Sequence, residues 1–314
     1  MSDEVNPEKS PFTVLPEECI ANIISLTSPK DACRVAAVSL GFKSASDSDV
    51  AWERFLPLNH NDIVSRASSP PTFSTKKQLY FLLSDSTLYL DGGHMAIFVE
   101  QIFEFSGRTG KTSYTLGAKK LQIGSIDDPK HWKWISLRES RFSQVAKLKR
   151  INSLDIGLKM DTRMLSPKTT YVAWLVYRFT VMDSGLDVLS KASIKLVKED
   201  GTETQGSTTN IYLLEPHDRI MSSADGRLSW AVEGNWYEIE LGEFSIGEGG
   251  ESSSDHIHIQ VSDTERLIQK RGLIVEGIAL RPKYRSNFPD VASFMKFCWQ
   301  RTHGIPLDDE DLMG

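Results

Sequence analysis

Apolar residues recur at helical spacing from about Phe12 to Pro57, then give way to strand-like runs from about Lys111 to Lys283. In the first stretch Leu15, Ile20, Ile23 and Ile24 make one stripe, the three-and-four spacing of a helix face. Pro16 followed by Glu17 and Glu18 starts that helix, since proline suits the first turn and carboxylates suit the positive end of the dipole. Ser28-Pro29-Lys30-Asp31 repeats the logic, with Ser28 as cap. The second helix carries Ala32, Val35, Ala36 and Val38 and ends near Leu40-Gly41, and Ser48-Asp49 opens a third holding Trp52, Phe55 and Leu56. Cys19 and Cys33 fall among these apolar positions and are expected to be buried. Three or four helices in about 45 residues are near the lower limit for independent folding, so the unit needs a partner.

From Leu58 to Gly110 the pattern is mixed. Ser68-Ser69-Pro70-Pro71 signals a turn or linker, and Ser74 or Thr75 is placed to cap a short helix through Leu79, Tyr80 and Leu83. Thr87–Leu90 and Met95–Val99 read as two strands around Asp91-Gly92-Gly93. Beyond Lys111, Tyr171–Tyr177 is a nearly continuous apolar run, as in a strand covered on both faces. Trp236–Leu241 alternates, with Tyr237, Ile239 and Leu241 on one face; His256–Val261 alternates too. Gly277 between two apolar triplets marks a bulge. A short basic amphipathic helix is expected near Phe142–Lys149. Val291, Phe294, Met295 and Cys298 then predict a C-terminal amphipathic helix, ended by Gly304, that packs back on the sheets; an acidic tail follows.

The chain has 314 residues, beyond the roughly 100–200 of one domain. Thirty-six basic against 42 acidic residues give a net charge of −6, which argues against an overall cationic nucleic-acid binder. The charge is uneven: residues 1–57 carry 5 basic and 9 acidic side chains, whereas 111–283 carry 24 and 23. Three widely spaced cysteines, no signal-peptide pattern and no apolar run long enough to span a bilayer as a helix imply an intracellular protein in a reducing compartment.

Catalytic and metal chemistry finds little support. Gly107-Arg108-Thr109-Gly110-Lys111-Thr112 lacks the glycine a phosphate loop needs at Phe105 and reads as a hairpin turn. His256 and His258 share a strand face without a third ligand. Glu238, Glu240 and Glu243 read as a solvated face, and Lys147, Lys149 and Arg150 as a small cationic cluster. No catalytic residues, metal site or cofactor is expected.

The N-terminal segment resembles an F-box, through Leu15-Pro16-x-Glu18, Ile20/Ile23/Ile24/Leu26, Ser28-Pro29-Lys30-Asp31, the run Arg34–Ser39, and Trp52. The remainder resembles the plant phloem protein 2 family, related to the tobacco lectin Nictaba. The matching blocks are Tyr114–Leu121, Trp132-Lys133-Trp134, Glu139–Ala146, Met164–Tyr171, Trp236–Phe244, Gly272–Ile278 and Arg281-Pro282-Lys283.

The resemblance implies an α+β multidomain chain. A disordered N-terminus (1–11) precedes an F-box helical unit (12–57) and a linker with a short helix and hairpin (58–110). An antiparallel β-sandwich, jelly-roll-like (111–283), and a C-terminal helix with its acidic tail (284–314) complete it. It also implies a non-catalytic receptor of an SCF-type (Skp1–cullin–F-box) ubiquitin ligase in the nucleus and cytoplasm, without nucleic-acid or membrane partners. Leu15, Pro16, Ile20, Ile23, Ile24, Leu26, Arg34, Val38 and Trp52 are the adaptor-binding residues it points to, the adaptor being Skp1 and, through it, a cullin. The β-domain then recruits a protein or glycoprotein client. The alternative is a nucleocytoplasmic lectin for N-acetylglucosamine-containing glycans, with Trp132, Trp134 and Glu238 as its sugar contacts. Two tryptophans expected of Nictaba-type domains are Ser125 and Ser153 here. Losing one stacking ring costs on the order of 1–3 kcal/mol, and at least one of Trp132 and Trp134 is expected to pack in the core.

Overall fold

The computed structural model describes residues 15–92, 99–186, 189–213, 229–232, 235–248, 255–263 and 268–283. Residues 1–282 form one compact unit and 283–314 a second. The N-terminus to residue 11, most of the Met95–Val99 segment and the C-terminal helix with its acidic tail lie outside the described residues.

Four short helices open the chain: α1 (Glu17–Ser25), α2 (Pro29–Val35), α3 (Leu40–Asp47) and α4 (Asp49–Glu53). Their starts follow local chemistry. The Ser28 hydroxyl accepts from Asp31 N at the head of α2, with Pro29 in the first turn, and Ser48 accepts from Val50 N at the head of α4. The expected turn at Leu40-Gly41 is instead the start of α3, because Ser39 caps Phe42 N and ends the previous element.

The segment 58–110 is not a linker. Its helices α5 (His60–Arg66) and α6 (Lys76–Asp85), the latter capped by Thr75, and its strands β1 (Leu88–Leu90) and β2 (Gln101–Ser106) are built into the body of the fold. Arg66 of α5 forks onto both Asp91 oxygens at 2.9 and 2.8 Å and reaches Gln101 at 2.9 Å, tying helix to sheet. The hairpin from β2 into β3 (Lys111–Gly117) turns at residues 107–110, where Gly110 takes a left-handed φ of +66°.

The β-domain is an antiparallel sandwich. Its strands are β3 (Lys111–Gly117), β4 (Gln122–Ile123), β5 (Trp132–Ile135), β6 (Val145–Leu148), β7 (Asp155–Asp161), β8 (Thr169–Ser184), β9 (Leu189–Val197), β10 (Glu203–Tyr212), β11 (Trp230–Ala231), β12 (Tyr237–Ile246), β13 (His256–Asp263) and β14 (Arg271–Pro282). Among the described residues one sheet runs β1-β2-β3-β14-β8-β12-β11, with β6 and β5 attached at β14, and the other runs β10-β9-β13-β7-β4. The helix expected near Phe142–Lys149 is the strand β6, because Val145, Ala146 and Leu148 are all buried and pair with β5 and β14. The register slips between Val275 and Gly277, and a Cβ at Gly277 would stand 2.1 Å from the Leu116 carbonyl oxygen.

The helical unit finds its partner within the same chain. Trp52 is fully buried, its ring N–H donates to the Ser46 carbonyl at 2.6 Å, and it packs edge-on against Tyr80 at 5.1 Å. Tyr80 in turn meets Phe105 of β2 at 5.4 Å, so an aromatic chain joins α4, α6 and the first sheet in one continuous core. Asn59 donates to the Tyr114 hydroxyl at 3.3 Å across the same junction.

Candidate functional site: a two-sided helix and a closed tryptophan

Helix α1 is apolar on two sides. Ile20, Ala21 and Ile24 point into the core, whereas Cys19, Ile23 and Leu26, at i, i+4 and i+7, form a second stripe facing solvent. Leu15 and Pro16 at its start and Val38, Leu40 and Val50 on the following helices and connections are exposed as well. Arg34 is exposed and reaches Asp31 at 3.2 Å; the Ser28 hydroxyl and Arg34 hold the Asp31 carboxyl below the usual carboxylate range.

This corrects the expected adaptor set. Ile20, Ile24 and Trp52 are interior residues that hold the unit together, since neighbours one position apart on a helix diverge by about 100°. Leu15, Pro16, Ile23, Leu26, Arg34 and Val38 remain available. Leu40 and Val50 are further exposed apolar side chains, and Cys19 and Cys33 are exposed rather than buried. The 19/23/26 spacing was the sequence signal for the outer stripe.

In the β-domain Trp132 is 2% exposed, and its ring N–H donates to the Gly124 carbonyl at 3.0 Å. That bond holds the loop carrying Ser125 against β5, so Trp132 and Ser125 do come together, but the ring face is closed by core packing. Trp134 is half-buried with the Lys119 ammonium 4.7 Å above its ring. Glu238 is not on a solvated face: it is buried and accepts from both terminal nitrogens of Arg281 at 2.6 and 2.7 Å. The expected sugar contacts thus include one sealed ring and one carboxylate already paired, and Trp134 alone keeps an accessible portion. Glu240 and Glu243 are half-buried as well.

His256 and His258 both lie on the outward face of β13. His258 pairs across the sheet with Lys159 and Lys195, and burial together with the Lys159 charge lowers its pKa. Among the described residues no group of three His, Cys, Asp or Glu side chains is arranged to hold a metal, and no helix is long and apolar enough to cross a membrane.

A small helical unit with an exposed apolar stripe, fused to an antiparallel β-sandwich, defines a two-module protein of the F-box type. Family models agree: residues 12–54 match the F-box domain and 111–282 match phloem protein 2. Curated relatives come from Arabidopsis thaliana. F-box protein At2g02240 is 37% identical, the match covering 88% of this chain and 82% of that one; F-box protein PP2-B10 is 35% identical, over 88% and 96%; F-box protein SKIP3 is 34% identical, over 85% and 87%. The chain belongs to the plant F-box proteins that carry a phloem protein 2 domain. Its sheets also resemble a solved carbohydrate-binding module bound to β-1,4-galactotriose, at 12% identity and a TM-score of 0.28 over 53% of this chain and 91% of that one, a likeness too distant to speak about a ligand.

Proposed function

We propose that this protein is the non-catalytic substrate-recognition subunit of an SCF-type ubiquitin ligase, acting in the nucleus and cytoplasm. The observation that carries the reading is the outward stripe of α1, apolar residues left in water on a unit whose own core is already closed. A Skp1-type adaptor covers that stripe and links the chain to a cullin, while the β-domain holds a client. Catalysis is then by proximity: holding an acceptor lysine near the ubiquitin carrier raises its effective concentration, with no chemistry from this chain.

The client is read as a protein surface rather than as a glycan. Supporting this choice, the Trp132 ring is buried, Glu238 is neutralised by Arg281, and serines stand at the two positions expected to be tryptophan. Affinity purification from plant tissue under proteasome inhibition, read by mass spectrometry, tests both halves. The adaptor and cullin should co-purify with ubiquitinated clients and be lost together from a Leu15→Asp/Ile23→Asp chain. Adaptor recovery unaffected by that pair would refute the docking, and a glycan array with strong N-acetylglucosamine signal would refute the protein-surface reading.

A further inference from the structure

Where the end of the helical unit meets the β2–β3 hairpin turn there is a cleft of about 380 Å3. Arg54, Arg108, Lys111 and Arg163 line it, and no Asp or Glu is among the lining residues. In a chain of net charge −6 that is a pronounced local excess of positive charge. Arg163 is answered by Asp161, to which its Nε donates at 2.9 Å. Among the described residues no carboxylate pairs with the other three. Among the described residues Arg54 and Arg108 make no ion pair or hydrogen bond through their side chains, and the Lys111 ammonium, partly buried, donates to the Pro167 carbonyl at 3.0 Å. Burial without a counter-charge lowers the Lys111 pKa.

Arg54, Arg108 and Lys111 line one concavity with no carboxylate among its lining residues, so a multiply charged anion seated there is attracted by all three. The volume falls in the range of small-molecule sites, about 300–1,000 Å3. Two of the three cations are guanidinium groups, whose planar donor fork matches phosphoryl oxygens two at a time. We infer that this cleft binds a compact, multiply phosphorylated small molecule at the junction of the helical unit and the sandwich. Such a ligand contacts Arg54 on one side and Arg108 and Lys111 on the other, and so fastens the docking module to the client module. None of the outward α1 residues Cys19, Ile23 and Leu26 lines this cleft.

Isothermal titration of the full chain with inorganic tripolyphosphate, in metal-free buffer at low salt, tests the inference. Saturable one-to-one binding is expected, with a higher melting midpoint in its presence. Arg54→Gln/Arg108→Gln, both at exposed positions, should weaken binding at least about tenfold, as should Arg108→Gln/Lys111→Gln. Lys133→Gln/Lys195→Gln removes the same net charge elsewhere and should leave affinity within about twofold. No saturable binding at millimolar tripolyphosphate would overturn the inference, as would equal affinity in the Arg54→Gln/Arg108→Gln chain with an unchanged melting midpoint. Citrate, a tricarboxylate of comparable charge, should bind at least about tenfold more weakly; equal binding would overturn the assignment to phosphoryl groups.

Discussion

Ile23 and Ile24 are adjacent in sequence and opposite in consequence, which allows adaptor docking to be separated from folding. Ile23, Leu26 and Val38 are 50%, 66% and 68% exposed, whereas Ile24 is 3% exposed. Fully covering an aliphatic side chain contributes about 1.5–3 kcal/mol relative to leaving it in water. The exposed fractions leave about 1–2 kcal/mol per residue for a partner to recover. Replacing all three with serine should therefore cost about 3–6 kcal/mol of adaptor affinity, on the order of 10²–10⁴-fold in Kd. The same triple variant should keep its melting midpoint, since surface substitutions stay within about 0.5 kcal/mol each. Ile24→Ser should do the reverse: a buried aliphatic side chain is replaced by a hydroxyl at a cost of about 2–5 kcal/mol in stability. Titration calorimetry against a purified Skp1-type adaptor, paired with thermal melts, reads both effects. Adaptor affinity within threefold of wild type in the Ile23→Ser/Leu26→Ser/Val38→Ser chain would refute the docking face. An unchanged melt for Ile24→Ser would refute the assignment of sides on α1.

Trp132→Ala should destabilise the β-domain by about 3–5 kcal/mol, read as a fall in urea midpoint, whereas Trp134→Ala should cost much less; equal effects would contradict the burial difference. Glu276 is 1% exposed and accepts from Ser140 Oγ at 3.0 Å, Arg141 N at 2.9 Å and the Arg141 guanidinium at 2.6 Å, so Glu276→Ala should cost about 3–5 kcal/mol, and retention of full stability would dismiss the clamp. Arg66, and after it Lys120, holds the Asp91 carboxyl below the ordinary range although burial opposes this. A depressed folded pKa contributes stability present above the unfolded value, about 3.9, and lost as pH falls below it through the folded value. Asp91→Asn should therefore lower stability at neutral pH and flatten the loss below about pH 4, and a parallel acid limb in thermal melts would contradict it.

Local chemistry was readable where cause and effect lie within a turn of each other. Ser28, Ser48 and Thr75 cap the helices that follow them, and the hydrophobic runs of β8 and β12 announce strands. Ser39 was harder, because the Leu40-Gly41 pair after it reads as a stop. The misread of β6 has a different origin: four residues are too few to show a period, and their state is set by pairing with β14 over a hundred residues away. Glu238 looked solvated because its partner, Arg281, lies on another strand. For α1 the spacing carried both stripes, but apolar residues on both faces do not say which face is the core; only packing against α3 and α4 does.

The blocks that carry the family resemblance turn out to touch one another. Glu276, in the sixth of them, clamps Ser140 and Arg141 in the third. Phe142 lies where a Cβ on Gly117 would stand, 2.8 Å from its ring, and Gly277 meets Leu116 with the same intolerance of a side chain. The Trp236 ring N–H donates to the Glu139 carbonyl at 3.1 Å with the Arg178 guanidinium 5.6 Å from its centroid. These contacts fix how β3, β6, β12 and β14 meet, and most of the groups making them are buried. A signature of that kind specifies a scaffold, and it is met by any sequence that builds the same joints. Under the proposed function, client choice resides in side chains outside those joints, on strand faces and loops where substitution leaves the scaffold intact. Relatives about one-third identical in sequence can then keep the same joints while differing at most other positions.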